Sequence, residues 1–316
     1  MNNKISLSLD GRGRGEGDPK IHERHRFAEG LEVLTIHELL QEGRSLLHGV
    51  AAPAIEAKVL LLHATGLSEV EFLASPQRII RAKDGHRYRR LIQRRLSGEP
   101  LAYIVGRKEF WSLSLRVERG IIIPRPETEL LVEKTLELAA RGRPTIVDIG
   151  TGSGNIALAL AKELPDARII ATDVSVKALR VAGLNAQEHG LENVTFVRGS
   201  LFSALDGLGL EGRCDFIVCN PPYVSASDWE SMPREVRDHE PRRAFFGGRT
   251  GLDFIRRLVK GSPAFLKPRG YLLFEVGYGQ AVGAVSLLGR VWTDVKLFSD
   301  LKGIPRVLAA RISEQP

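Results

Sequence analysis

The chain has 316 residues, 43% of them hydrophobic and 26% charged, the balance of a soluble globular protein with room for two domains. No apolar run approaches the roughly 20 residues that a membrane-spanning helix needs, so no membrane association is expected. Lys and Arg exceed Asp and Glu to give a net charge of +7, a mild basicity that suits RNA or a ribosome-associated partner and equally an enzyme with neither.

Residues 1–30 are Gly-rich and carry both charge signs, including Asp10, Glu16, Asp18 and Glu23. They lack the apolar core of a secretory signal and the acid-poor composition of a transit peptide, and they read as a disordered tail. From residue 31 to 98 the pattern is helical. Thr35-Ile-His-Glu38 and Ser68-Glu-Val-Glu71 have capping-box form. Ala54 to Thr65 repeats apolar residues at helical spacing and stops at Gly66, a C-terminal cap. A fourth helix near Ala82 to Leu96 carries Arg87, Arg89, Arg90, Arg94 and Arg95, either a docking surface for an acidic partner or a solvated face.

Residues 99–125 read as a linker. Phe110, Trp111, Leu113, Leu115 and Val117, then Ile121 to Ile123, suggest a hairpin punctuated by Arg119-Gly120. From about residue 126 a helix near Leu130 to Ala140 opens the remaining domain, and from Pro144 strand and helix alternate. Strands are expected at Ile146–Ile149, Ala167–Thr172, Val194–Val197, Asp215–Cys219 and Tyr271–Glu275, with closing strands near Val295 and Val307. Such alternation predicts an α/β fold, a mostly parallel sheet covered by helices on both faces. Cys214 and Cys219 flank one predicted strand at an odd offset, which turns their side chains apart and argues against a disulfide. With no metal-ligating partner in the nearby sequence, they read as buried thiols of a reduced, cytosolic protein.

Two loops carry the chemistry. Asp148-Ile-Gly150-Thr151-Gly152-Ser153-Gly154-Asn155 sits at a strand-to-helix turn, where glycines let the backbone curve tightly and a ligand approach it without meeting a Cβ. Asp173 ends the next strand 23 residues after Gly150, the place for a carboxylate that accepts ribose hydroxyls. A dinucleotide oxidoreductase shares that logic, but its fingerprint runs Gly-x-Gly-x-x-Gly, whereas this loop runs Gly-x-Gly-x-Gly behind an acid. The variant resembles the first motif of class I methyltransferases, in which the acid, here Asp148, supports the methionine end of S-adenosylmethionine. Ser200 and Leu201 follow the third strand, where such folds contact adenine. An acid is usual at the first of these positions, so here the Ser200 hydroxyl would serve.

Asn220-Pro221-Pro222-Tyr223 follows the fourth strand at the edge where open α/β sheets bind ligands. The prolines stiffen the loop, Asn220 offers an acceptor and a donor, and Tyr223 offers a flat ring. That set matches a planar amide or amine nitrogen, whose lone pair is delocalised. The Asn220 oxygen and the Pro221 carbonyl would take its two N–H groups, and the Tyr223 ring would fix its plane. Positioning of this kind is worth several kcal/mol, in order of magnitude, without a strong base.

Together these loops resemble the amino-methyltransferases, a group that includes DNA adenine and protein glutamine enzymes. Pro100-Leu-Ala-Tyr-Ile-Val-Gly106, Glu109-Phe110-Trp111 and Ile123-Pro-Arg-Pro-Glu-Thr-Glu129 narrow the resemblance to the HemK/PrmC family, protein-(glutamine-N5) methyltransferases of peptide chain release factors. Asp238-His-Glu240-Pro241, Gly251-Leu-Asp253, Asp300-Leu-Lys-Gly303 and Arg306-Val307 also match. The resemblance implies a helical substrate-docking bundle, a hairpin and a Rossmann-like methyltransferase domain over residues 126–316. It implies S-adenosylmethionine held by Gly150 to Gly154, Asp173, Leu201 and Asn220, and a Gly-Gly-Gln glutamine of a class I release factor held by Asn220 to Tyr223. An adenine methyltransferase acting on nucleic acid is the runner-up, weakened by the small size of the additional bundle. A non-enzymatic docking module is the third reading, opposed by the intact Asn220 loop.

Overall fold

The computed structural model describes residues 34–139 and 142–314; the expected tail lies outside the described residues. Both capping boxes form where the sequence places them. Glu38 and Thr35 exchange backbone-to-side-chain hydrogen bonds at 3.2 and 2.7 Å, and Ser68 and Glu71 repeat the exchange. They open the helices Ile36–Leu46 and Glu69–Ala74. Between them Pro53–Thr65 starts on a proline, which fits the first helical turn, and ends at Gly66 with a φ of 72°. The helix Ala82–Leu96 closes this apolar cluster with Tyr88, Leu91 and Ile92.

Four of that helix's arginines are used inside the molecule, Arg87 against the Ala64 carbonyl and His63. Arg89 pairs with Glu42 at 2.7 Å, Arg94 with Glu99 at 2.8 Å, and Arg95, only 9% exposed, with Glu56 at 2.5 Å and Glu235 at 3.0 Å. The last contact ties the bundle to the helix Arg234–His239 beside the Asn220–Tyr223 loop.

The hairpin pairs strand β1 (Arg107–Phe110) with β2 (Leu113–Arg116). Its turn is Trp111-Ser112, with φ of 50° and 56°, and not the expected Arg119-Gly120, which makes a separate turn further on. Two L-residues accept the left-handed conformation here because Trp111 is tied down: its amide donates to Glu129 at 2.8 Å and its indole to Glu163 at 2.9 Å.

The main sheet holds β3 (Thr145–Ile149), β4 (Arg168–Asp173), β5 (Val194–Arg198), β6 (Cys214–Cys219), β7 (Leu266–Glu275), β8 (Trp292–Ser299) and β9 (Pro305–Ile312). Their order is β5-β4-β3-β6-β7-β9-β8; the first five are parallel, and β9 runs antiparallel to both neighbours. Successive residues feed opposite faces: Val147 and Ile149 join one apolar cluster with the helix Asp253–Gly261, and Ile146 joins the other with the helix Asn155–Glu163. Cys214 and Cys219 are both free and buried, and they share one cluster; the alternation holds from Phe216 to Cys219, and Cys214 lies ahead of it, before a register shift against β7.

Candidate active site

Strand register brings the two loops together. Ile149 pairs with Cys219, so Gly150 and Asn220 leave adjacent strand ends side by side, where the strand order reverses around β3. The glycine turn folds back on β4: the amides of Gly150 and Thr151 both donate to the Thr172 carbonyl, at 2.9 and 2.8 Å. Gly150 and Gly154 adopt φ of 78° and 89°. A Cβ on Gly150 would meet nothing within 4 Å, because that position opens onto a cavity.

That cavity, of about 170 Å³, is lined by Gly150, Asp173, Ser200, Leu201 and Asn220 among others. Five of the ten expected cofactor residues therefore meet in one space. Thr151, Gly152, Ser153 and Gly154 are buried within the turn and do not line it. Asp148 lies beneath the turn, fully buried, with no hydrogen-bond partner on either carboxylate oxygen among the described residues. Burial pushes its pKa up to about 7 against the weaker pull of the Thr151 hydroxyl and the Ala157 amide. The Asp173 carboxylate takes the amides of Gly152 at 3.0 Å and Ser175 at 2.8 Å, which aims it along the cavity wall with lone pairs to spare. Ser200 is exposed at the rim, and Leu201 holds a φ of 50°.

A second cavity, of about 620 Å³, is lined by Asn220, Pro221, Tyr223, Glu275, Gln280 and Arg306 among others. Asn220, Ile122, Arg125 and Ala244 line both spaces. Asn220 thus stands at their junction. Its Nδ2 donates to Thr128 Oγ1 at 3.0 Å, and the Thr128 hydroxyl donates to Glu275 at 2.7 Å. Tyr223 donates its phenol to the other Glu275 oxygen at 2.9 Å, and its carbonyl accepts from Gln280 at 2.7 Å. Burial first, then Glu275, holds the Tyr223 phenol far above its ordinary pKa, so it is neutral. The Asn220 Oδ1 and the Pro221 carbonyl accept no hydrogen bond from the described residues.

Several residues of these walls carried no role in the sequence reading: Ile122, Arg125, Thr128, Arg243, Glu275 and Arg306. Arg125 and Thr128 sat inside a quoted motif, and so did Glu240, which binds the Arg125 guanidinium and takes the Ile123 amide at 3.0 Å. The two motifs therefore meet to fix the linker across the cavity mouth.

The fold and the two-cavity site define a class I S-adenosylmethionine-dependent methyltransferase. The PrmC N-terminal domain family matches residues 38–106 and the methyltransferase small domain family residues 126–234. The release factor glutamine methyltransferase of Nitratidesulfovibrio vulgaris is 39% identical over 88% of this chain and 95% of its own. Those of Geobacter sulfurreducens, at 39% over 90% and 100%, and of Koribacter versatilis, at 41% over 82% and 91%, are similar to the same extent. The chain belongs to the release factor glutamine methyltransferase family. Among solved structures, a methyltransferase from Pyrococcus furiosus covers 70% of this chain and 97% of its own at 19% identity, with a TM-score of 0.48.

Proposed function

We propose that this chain methylates the side-chain nitrogen of the glutamine in the Gly-Gly-Gln motif of class I peptide chain release factors, in the cytoplasm, with nucleic acid not a direct substrate. One observation carries the reading: Asn220 stands between a cavity walled by the glycine turn and a second cavity walled by Pro221 and Tyr223, with its carboxamide oxygen unengaged. S-adenosylmethionine, when bound, supplies a methyl group activated by a sulfonium. Gly150, Asp173, Ser200, Leu201 and Asn220 would hold it, and the buried charge of Asp148 favours its cationic methionine end.

The protein's task is then to present a poor nucleophile. The Asn220 Oδ1 and the Pro221 carbonyl accept the two amide hydrogens of the glutamine, which leaves the nitrogen lone pair as its only free face. Tyr223 and Pro222 restrain the amide plane. Such orientation contributes several kcal/mol, in order of magnitude, without a strong base; the proton that the methylated nitrogen must lose leaves to solvent along its hydrogen bond to the Asn220 oxygen or the Pro221 carbonyl. Residues 31–98 would dock the release factor, residues 99–125 would join the two parts, and residues 126–316 would carry the reaction.

The test is methylation of a purified release factor by the full chain with labelled S-adenosylmethionine. Label should reach the release factor and vanish when its motif glutamine is changed to alanine. Label that persists in that variant, or that is lost only on nuclease treatment, would overturn the reading and favour a nucleic-acid amine.

A further inference from the structure

Glu275 ends β7 at 2% exposure, and Thr128 beside it is wholly buried. A carboxylate is costly to bury, so one kept in the wall of the second cavity calls for a use. The groups facing it are few. The hydroxyls of Thr128 and Tyr223 bind it directly, and Arg306 on β9 and Glu127 ahead of the helix Glu129–Leu138 act at longer range. The buried thiol of Cys219 on β6 feels its charge. Arg306 is itself committed to Asp300, at 2.9 Å.

Donor and acceptor chemistry then fixes the neighbours one by one. An ionised carboxylate only accepts, so the single hydrogen of the Thr128 hydroxyl goes to Glu275 at 2.7 Å. The Thr128 oxygen is left as an acceptor, and the Asn220 atom 3.0 Å from it must be the amide nitrogen. The Asn220 oxygen is thereby turned the other way. The remaining Glu275 oxygen takes the Tyr223 phenol at 2.9 Å and holds that ring in place.

We propose that Thr128 and Glu275 are positioning residues that set the polarity of the site, holding the Asn220 carboxamide with its oxygen toward the substrate nitrogen. The proposal rests on the function above, in which that oxygen accepts a substrate N–H. It also makes the polarity reversible. A Glu275 protonated on the oxygen that faces Thr128 donates to it, the Thr128 hydroxyl then donates to Asn220, and the carboxamide must turn its NH₂ toward the substrate. Two donors face each other and the glutamine is no longer held. Burial keeps Glu275 above the ordinary carboxylate range, so falling pH switches the site off earlier than an exposed glutamate would.

The experiment uses the full chain in two arms. In the first, isotope-labelled asparagine reports the Asn220 side-chain amide by NMR without substrate. One Nδ2 proton should resonate downfield as a hydrogen-bonded donor, lose that shift in Thr128→Val, regain it in Thr128→Ser, and move as acid is added in step with Glu275. In the second, kcat and KM for methylation of a release factor are followed against pH. Thr128→Val and Glu275→Gln should each lower kcat by roughly 100-fold. The double variant should be no worse than either single one, and the acid limb of kcat should disappear in Glu275→Gln. An Asn220 resonance unchanged in Thr128→Val, or a kcat within about twofold of wild type there, overturns the relay. If the wild-type chain transfers no methyl group to the release factor, the proposed function fails, and the NMR arm still decides the relay by itself.

Discussion

Two glycines of one turn carry different burdens. Both Gly150 and Gly154 sit at positive φ, which costs an L-residue roughly 1–2 kcal/mol. A Cβ on Gly154 would also press on Leu158 Cδ1 at 3.0 Å and Ala182 at 3.1 Å, whereas one on Gly150 would enter the cavity. Gly154→Ala should therefore lower stability by about 2–4 kcal/mol in urea unfolding. Gly150→Ala should lower it by only about 1–2 kcal/mol and weaken S-adenosylhomocysteine binding by about tenfold or more in calorimetric titration. If Gly150→Ala binds as wild type does, the turn does not face the cofactor. At this scale the sequence was legible where the chemistry is local, as at Gly150 or Asn220-Pro-Pro-Tyr. It was silent on Thr128 and Glu275, because their partners lie 92 and 147 positions away and only the folded sheet brings them together.

Among the elements, boundaries followed wherever a cap announced them. Thr35, Ser68 and Gly66 each stand where the structure starts or stops a helix. The hairpin turn was missed for the opposite reason: Trp111-Ser112 contains neither Gly nor Asn and is held by the distant Glu129 and Glu163. The short helices Ala226–Ser231 and Arg234–His239 are too brief for their sequence to show a period. The arginine-rich helix shows how ambiguous charge is, since Arg95 and the exposed Arg90 look alike in sequence. Arg95→Met keeps most of the packing but leaves the half-buried Glu56 without its cation, and should cost about 1–2 kcal/mol in urea unfolding. Arg90→Met should stay within about 0.5 kcal/mol. Equal effects would mean that the pairing of Arg95 with Glu56 and Glu235 contributes nothing to joining the bundle to the catalytic domain.

For the whole molecule, stability and ligand binding are linked through Asp148. The unfolded chain releases this proton near the ordinary value of 3.8, whereas burial in the fold delays it to about 7. Between those values the folded state binds the proton more tightly, so stability falls as pH rises and reaches its lower level above about 7. The difference is on the order of a few kcal/mol. The ligand-free protein should therefore melt at a lower temperature at about pH 8 than at about pH 5.5, and Asp148→Asn should flatten that slope and raise the melting temperature at the higher pH. The same variant should bind S-adenosylmethionine more weakly, because the charge that strains the empty fold is the one that favours a cationic ligand at the turn. Calorimetric melting across pH, with and without that ligand, checks both halves. If Asp148→Asn keeps the wild-type slope, the proton belongs to another group, and the buried acid contributes to neither stability nor binding in the way its burial demands.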